Sequence, residues 1–370
     1  MGRGPIDGRG FRRYDRRDSP RSLSGWESDR FRVVGRMLVP EFRQNIATKD
    51  WVIISPERAH RPDSFAHRPS PKESLPEHDA GCPFCPGNEG QAAEESFRIG
   101  DGDGWRVRVV ANKFPALVNE GRPVRRTQAM YRSMSGVGIH QVMVEAPLHN
   151  VTTAQLPVPH VVDVLTAAHR QYREAAADPR IEHVVLFKNH GAAAGTSLEH
   201  PHWQMIAMPL VPSHVRTRIE EAMRHFDDSG ECVFCRMLSE EVAARVRVVV
   251  ETERFVSFCP FAAMSPYHTW ILPRRHMASF GDATPEEIAD LGGHLKTTLS
   301  KFHVGLDNPA FNLVARCAPV GHSKVAYFHW YLSICPRLSK AAGFELGSGM
   351  FVNSLPPEEA ARKLRETNVD

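Results

Sequence analysis

Short apolar runs alternate with turn-forming clusters along this chain, and one long amphipathic stretch stands out in each half. A polar turn, Thr48-Lys49-Asp50, leads into the apolar strand Trp51-Val52-Ile53-Ile54-Ser55, and ordered sequence is expected from about Phe42. Residues 66–80 are Pro-rich and polar and read as a loop. Strands are expected at 105–110 and 139–145. A helix follows over about 159–176, with Val161, Val162, Leu165 and Ala168 on one stripe and Asp178-Pro179 as its stop. A further strand runs 184–187.

The second half repeats this order. Strands are expected at 245–250 and 268–273. The next helix opens on the capping box Thr284-Pro285-Glu286-Glu287 and runs to about Phe302, and a strand follows at 311–316. Arg245-Val246-Arg247-Val248-Val249 echoes Arg106-Val107-Arg108-Val109-Val110, and each half carries a Cys-x-x-Cys pair and an aromatic-Pro loop. We read an internal duplication. Each half is expected to be an antiparallel sheet with one long helix, an α+β fold. The halves are placed at 42–212 and 213–370, behind an Arg-rich tail at 1–36.

The duplication groups the candidate metal ligands. Cys82-Pro83-Phe84-Cys85-Pro86-Gly87 has the turn composition of a zinc knuckle, and Pro86-Gly87 argues against the helix that a redox Cys-x-x-Cys needs. Half a site needs two more ligands. His149 and His200 lie 51 residues apart in the first half, His276 and His329 lie 53 apart in the second, and Cys232 and Cys235 complete the parallel. Two Cys2His2 sets result, each suited to one tetrahedral zinc: Cys82, Cys85, His149 and His200, then Cys232, Cys235, His276 and His329. Any one of these histidines alone would read as an ordinary core residue.

Between the strand 184–187 and His200 lies a loop of small residues. Gly191 and Gly195 let backbone N–H groups approach a ligand closely, and Thr196 and Ser197 add hydroxyl donors, the chemistry of a phosphate cradle. In an extended chain His200 and His202 point to one face, and Pro201 between them marks an edge or irregular strand. Two imidazoles on one face are two metal ligands, or one ligand and one nucleophile. The duplicate keeps His329 but has Tyr331 at the second position, so with His200 given to metal, His202 is left as a reactive residue. Near the start, Arg58 and Arg61 stand three apart in a Pro-bounded segment and can both face an anion, although the pair alone reads as an exposed basic loop.

Composition narrows the class. The chain has 370 residues, with 42% hydrophobic and 24% charged, which is ordinary for a globular protein long enough for two units. It shows no apolar run of transmembrane length and no secretory signal pattern. Seven cysteines, four of them in Cys-x-x-Cys pairs, favour metal binding in a reducing compartment, and a cytoplasmic location is expected. The net charge of +3 is uneven: the first 36 residues hold ten Arg against five Asp or Glu, leaving the remainder slightly acidic. The tail is poor in aliphatics and reads as disordered, either as a nucleic-acid arm, a solvated extension, or an artefact of start-site choice with Met37 as the true start.

These residues together resemble the galactose-1-phosphate uridylyltransferase family of the histidine-triad superfamily, over most of 42–367. The resemblance is carried by His200-Pro201-His202-x-Gln204, Cys82-x-x-Cys85, Asn189-x-Gly191, Gly195-x-Ser197 and Arg58-Ala59-x-Arg61. Gly343-Phe344-Glu345 resembles that family's Gly-Tyr-Glu, and Lys340 before it resembles a substrate-contacting Lys. The resemblance implies two tandem histidine-triad-like halves and a ping-pong nucleotidyl transfer. His202 would attack the α-phosphorus of a nucleotide sugar and release a hexose 1-phosphate, and a second sugar phosphate or another acceptor would then take the nucleotide. Neutral imidazole is a good nucleophile at neutral pH and leaves well once protonated. Gln204, Ser197 and the Gly195 amide would stabilise the phosphoryl oxygens, Arg58 and Arg61 would bind diphosphate, and Asn112 and Phe114 would belong to the nucleoside loop. Hydrolytic relatives have a third His where Gln204 stands, so Gln favours transfer over hydrolysis.

Some positions depart from the uridylyltransferase pattern. Asn112-Lys113 replaces Asn-Asp, Thr196 replaces a Cys, and the second metal set is Cys2His2 rather than Glu with three His. Phe187-Lys188-Asn189-His190-Gly191 and residues 343–349 look closer to the ADP-glucose phosphorylase branch. The leading expectation is a UDP-glucose–hexose-1-phosphate uridylyltransferase. The alternatives are an ADP-glucose phosphorylase or adenylyltransferase, and a non-enzymatic zinc protein binding nucleic acid, which the near-neutral body disfavours. Expected partners are a nucleotide sugar and a sugar 1-phosphate, with no membrane and no nucleic acid, two Zn2+ per chain, and a homodimer by resemblance. Deleting residues 1–36 is expected to leave turnover and melting temperature unchanged, because the segment has few apolar residues to dock with. A large loss of either in the truncated protein would contradict this.

Overall fold

The computed structural model describes residues 33–34, 37–60, 75–100 and 104–369. Residues 1–39 and 40–370 form separate units. Within the first, Val33–Val34 pairs antiparallel with Met37–Leu38; most of the tail and Arg61 lie outside the described residues.

Residues 40–370 are built on a ten-stranded antiparallel sheet. Its strands are β1 (Glu95–Ile99), β2 (Val107–Ala111), β3 (Ile139–Val144), β4 (His183–His190), β5 (His202–Met208), β6 (Val248–Glu251), β7 (Phe255–Phe258), β8 (Thr269–Pro273), β9 (Phe311–Arg316) and β10 (Tyr331–Pro336). Their order across the sheet is β6-β7-β8-β10-β9-β4-β5-β3-β2-β1. Read outward from the centre, each half follows one topology: β4-β5-β3-β2-β1 on one side and β9-β10-β8-β7-β6 on the other. The duplication expected from sequence is a single sheet in space, joined where β4 pairs antiparallel with β9 through Phe187↔Val314 and Asn189↔Asn312.

Two long helices cover one face, one from each half. They are α1 (Val158–Ala176) and α4 (Pro285–Gly305), and between them and the sheet lies the main core, with Val164, Leu165, Leu291, Leu295, Leu186 and Leu313 buried. Thr284 accepts from the Glu287 N–H at 3.3 Å and Glu287 accepts from the Thr284 N–H at 2.8 Å, so the expected capping box forms. Apolar β-branched residues on alternate strand positions and a helical stripe above them suffice for this layer.

The other face is not covered evenly. Cys82, Phe84, Cys85 and Trp105 pack on Val110, Val142 and Val144 at the first half's end. At the opposite end, α2 (Ser213–Ser229) and α3 (Val233–Ala244) pack Ile219 and Phe234 on Val256, Phe258, Trp270 and Tyr331. Between these caps an open cavity of about 930 Å³ lies over β4, β9 and β10. A separate three-stranded sheet joins the chain ends: Trp51–Ile54 pairs antiparallel with Glu41–Gln44 and parallel with Phe351–Asn353. Buried Arg43 bonds Glu358 of α6 (Pro357–Glu366) at 2.8 Å. Before α6, the short helix α5 (Gly343–Ser348) spans six residues.

Three expectations need correction. Pro201 does not mark an edge strand. It stands just before β5, a central strand between β4 and β3, where its missing N–H breaks no ladder bond and its carbonyl accepts from the Glu145 N–H at 2.9 Å. The second half has more than one long helix, because α2 and α3 are amphipathic with few, widely spaced buried positions. Arg245 is not in a strand: it ends α3 in the left-handed region at φ 56°, and β6 starts three residues later. As for membranes, no described helix is long and apolar enough to cross one.

The two long helices approach closely at Gly292, where an added Cβ would lie 2.4 Å from Val162 Cγ2. Gly292→Leu is therefore expected to destabilise the protein by about 1–3 kcal/mol through overpacking. Chemical denaturation of the variant and the parent measures this, and an unchanged midpoint would contradict it.

Candidate active site and metal centres

Secondary structure brings both Cys2His2 sets together. In each set the four candidate ligand atoms lie within 4.8 Å of one another. In the first, His149 Nδ1 is 3.5 Å from Cys85 Sγ, and His200 Nδ1 is 3.6 and 3.7 Å from the two sulfurs. A tetrahedral ion with metal–sulfur and metal–nitrogen bonds of about 2.3 and 2.05 Å requires separations of about 3.6 Å, so the donors fit. His200 Nε2–H donates to the Ala146 carbonyl at 2.7 Å, which leaves Nδ1 unprotonated toward the sulfurs. Burial drives the His200 imidazole down to about 4 and the Cys82 thiol up to about 11, a pocket that favours neutral donors until a cation arrives.

In the second set, Cys235 Sγ lies 3.2 Å from His276 Nδ1 and 3.3 Å from His329 Nδ1. Here Cys232 caps α3, so this Cys-x-x-Cys does sit at a helix start, the geometry of a reactive pair. The Cys235 hydrogen bond, with smaller contributions from His276 and the helix-start amides, lowers the Cys232 thiol to about 5. The two imidazoles give this pair the donor set of a metal site.

His202 is the first residue of β5. It is buried, and its ring packs 5.6 Å from Phe84, whose other neighbour is His200 at 5.9 Å. The backbone carbonyl that orients it is His200's own: His202 Nδ1–H donates to it at 2.8 Å. A carbonyl can only accept, so the proton is on Nδ1 and the Nε2 lone pair is left for chemistry. Burial lowers the pKa of His202, which keeps the ring neutral. The bond also couples the two histidines, since the residue whose imidazole faces the cysteines supplies the carbonyl that sets the tautomer of His202.

Gln204 follows on the same face, held by a residue that sequence reading passed over. The Ala116 N–H donates to His140 Nδ1 at 3.1 Å, so His140 carries its proton on Nε2 and donates to Gln204 Oε1 at 3.1 Å. The Gln204 amide is thereby turned so that its NH2 can donate elsewhere. Strand alternation in 139–145 was the available signal, because His140 shares a face with Val142 and pairs with Ile206 across the ladder. The nucleoside-loop candidates are adjacent: Asn112 Oδ1 accepts from the Phe114 N–H at 2.8 Å, and the Phe114 ring is 85% exposed, an open stacking surface.

In the small-residue loop, Gly191 has φ 78° and an added Cβ would meet Ala310 Cβ at 2.8 Å, so glycine is required there on both counts. Gly195 is left-handed at φ 84° with open space above it, and Thr196 Oγ1 donates to the Leu198 carbonyl at 2.8 Å. Asn189 Oδ1 accepts from Asn312 Nδ2 at 2.7 Å, and the same Asn312 amide reaches the Ala194 carbonyl at 2.9 Å. A residue of the second half thus pins the loop of the first. Asn189 lines the cavity together with Arg58, Lys340 and Glu345, whereas His202 and Gln204 do not line it and Phe344 is half exposed outside it.

The comparisons with known proteins converge on one group. Residues 30–212 match the model of the galactose-1-phosphate uridyl transferase N-terminal domain, and residues 242–332 match the HIT domain. The chain is 36% identical over 335 residues to ADP-glucose phosphorylase of Arabidopsis thaliana, covering 89% of this chain and 93% of that one. The chain belongs to the galactose-1-phosphate uridylyltransferase family. Within this family it is also 28% identical to galactose-1-phosphate uridylyltransferase of Thermotoga maritima, over 89% of this chain and 99% of that one. Its fold matches the crystal structure of the Arabidopsis ADP-glucose phosphorylase with bound ADP-glucose at a TM-score of 0.77, with 33% identity, covering 90% of this chain and all of the other. Like its uridylyltransferase-family relatives, the protein is a nucleotidyltransferase with two tandem histidine-triad-like halves.

If the first Cys2His2 group holds a metal ion, it acts as a staple between 82–85, His149 and the start of β5. Metal binding of this kind contributes on the order of 10 kcal/mol to folding. Prolonged chelation is expected to release metal and lower the melting temperature sharply, and His200→Ala is expected to do the same without chelator. Elemental analysis paired with thermal unfolding tests this; full stability of a metal-free protein would contradict it.

Proposed function

We propose that this enzyme transfers a nucleoside monophosphate through a covalent intermediate on His202, with ADP-glucose as donor and inorganic phosphate as acceptor. The observation that carries the proposal is the Nδ1–H bond from His202 to the His200 carbonyl, which presents Nε2 as a neutral nucleophile. His202 Nε2 attacks the α-phosphorus of the donor, the bond to the bridging oxygen breaks, and glucose 1-phosphate leaves. A phosphate oxygen then attacks the nucleotidyl group, ADP leaves, and His202 recovers its lone pair. The Gln204 amide and Ser197 hydroxyl donate to the non-bridging oxygens as charge builds. Arg58 and Arg61 receive the diphosphate, Lys340 and Glu345 contact the sugar phosphate, Phe344 belongs to the same C-terminal segment, and Asn112 and Phe114 hold the nucleoside.

The adenine reading is favoured by the higher identity to the Arabidopsis phosphorylase and by the departures at Lys113 and Thr196. Uridylyl transfer between hexose 1-phosphates is the second reading, favoured by the near-complete coverage of the Thermotoga enzyme. Zn2+ is proposed for both Cys2His2 groups, on the softness and geometry of the donors.

His202→Ala is expected to lose turnover by several orders of magnitude while keeping its metal and fold, in contrast to His200→Ala. His202→Gly should recover activity with added imidazole, which can occupy the vacated space. Incubation with labelled ADP-glucose or UDP-glucose alone, followed by peptide mapping, tests donor and nucleophile together. The label should be acid-labile, base-stable and on His202. Label on another residue, or wild-type turnover by the Ala variant, would overturn the mechanism.

A further inference from the structure

The duplication places a second set of residues where the first half has its active site. Gln204 pairs with Phe187 and Val142, and Ser333 pairs with Val314 and Trp270, so Ser333 is the counterpart of Gln204. By the same register Tyr331 is the counterpart of His202, Arg316 of Asn189, and His268 of His140. The supporting contact is kept in position: the Met264 N–H donates to His268 Nδ1 at 3.4 Å, and His268 Nε2 lies 2.9 Å from Ser333 Oγ, as His140 Nε2 lies 3.1 Å from Gln204 Oε1, while the Trp270 indole N–H also reaches His268 Nε2 at 3.2 Å. The nucleophile is gone, because Tyr331 is buried in the α2–α3 core and stacks on Trp270 at 4.2 Å.

What replaces it is positive charge. Arg316, Arg218, His183 and His214 line one end of the 930 Å³ cavity, and no carboxylate among the described residues pairs with any of them. The one carboxylate that lines the cavity, Glu345, accepts from the Ala342 N–H at 2.9 Å in the C-terminal segment. His183 is 4% exposed, and its Nδ1 has no hydrogen-bond partner; the buried Arg218 Nε has none either. Unpartnered buried polar atoms of this kind cost stability unless a ligand completes them. His214 is the second residue of α2, whose N-terminus carries no side-chain cap, so a 17-residue helix ends in free amides at the same place. Burial first, then His214 and Arg316, hold His183 down at about 4, and burial lowers Arg316 as well. The two guanidiniums therefore carry the positive charge here, with neutral His183 beside them, and two uncompensated guanidiniums in a half-buried cleft cost stability.

We propose that Arg316, Arg218, His183 and His214 form a second anion site, one that binds a phosphate group non-covalently at the duplicated position. It is separate from the His202 site: His183 and Asn189 lie at opposite ends of β4, six residues or about 20 Å apart. Val185, Phe187 and Val314 continue the cavity wall from the cations toward Asn189, which gives room for an organic carrier of the phosphate. The two sources that share this chemistry are a nucleotide and a sugar phosphate, with free phosphate as the minimal ligand.

The test counts bound ligand in the full-length His202→Ala protein, which cannot turn over. Equilibrium dialysis with labelled inorganic phosphate, ADP and glucose 1-phosphate is compared between this protein and one that also carries Arg218→Gln and Arg316→Gln. The added pair is expected to remove one equivalent per chain, and the ligand that loses it identifies the carrier. His214→Glu, at an exposed position that burdens the fold little, should weaken the same equivalent at least tenfold if the double change impairs folding. Identical stoichiometry and affinity for all three ligands in every variant would overturn the proposal. The comparison reads a difference between variants, so it stands or falls independently of what the His202 site binds.

Discussion

The antiparallel pairing of β4 with β9 is the interaction on which the rest of this molecule depends. Among the described residues it is the one ladder between the two halves of the large sheet, and its register places Asn189 opposite Asn312 and Phe187 opposite Val314. A slip of one residue would turn every side chain of one half to the opposite face. The helices α1 and α4 lock the register from one side through a shared apolar layer. On the other side the same pairing opens the cavity between two caps, each carrying a Cys2His2 group. Fold and site are therefore positioned by one set of main-chain hydrogen bonds.

The first Cys2His2 group and the orientation of His202 are joined just as tightly. His200 faces the cysteines through Nδ1, is fixed by the Ala146 carbonyl at Nε2, and offers its own carbonyl to His202. With Pro201 between them, the two imidazoles flank Phe84 and cannot be repositioned independently. The residue that completes the Cys2His2 group is thus also the support that sets which nitrogen of His202 is free.

Much of this was legible in the sequence because it rests on local periodicity and on repetition. The helices near 159–176 and 284–302 and the strand 311–316 follow from apolar spacing, and the grouping of the eight candidate ligands into two clusters follows from two parallel series of Cys and His. What escaped was non-local. His140 earns its role from Ala116 and Gln204, which lie 24 and 64 residues away, and a lone His in a strand carries no mark of that. Helices α2 and α3 bury few residues each, so their apolar stripes are thin. Pro201 misled because a proline before a central strand and one inside an edge strand look alike until the ladder is known. The tie from Asn312 to the small-residue loop 191–195 needed the β4–β9 register, which no local pattern encodes.

That tie has an evolutionary consequence. After a gene duplicates in tandem, the copy released from chemistry is usually free to drift. Here the second copy supplies Asn312, oriented by Arg337, as a brace for the first copy's loop. Substitutions in β9 are then filtered by their effect on a neighbour's geometry rather than on any reaction of their own. The two copies have become a tool and its jig, able to diverge in chemistry but not in alignment.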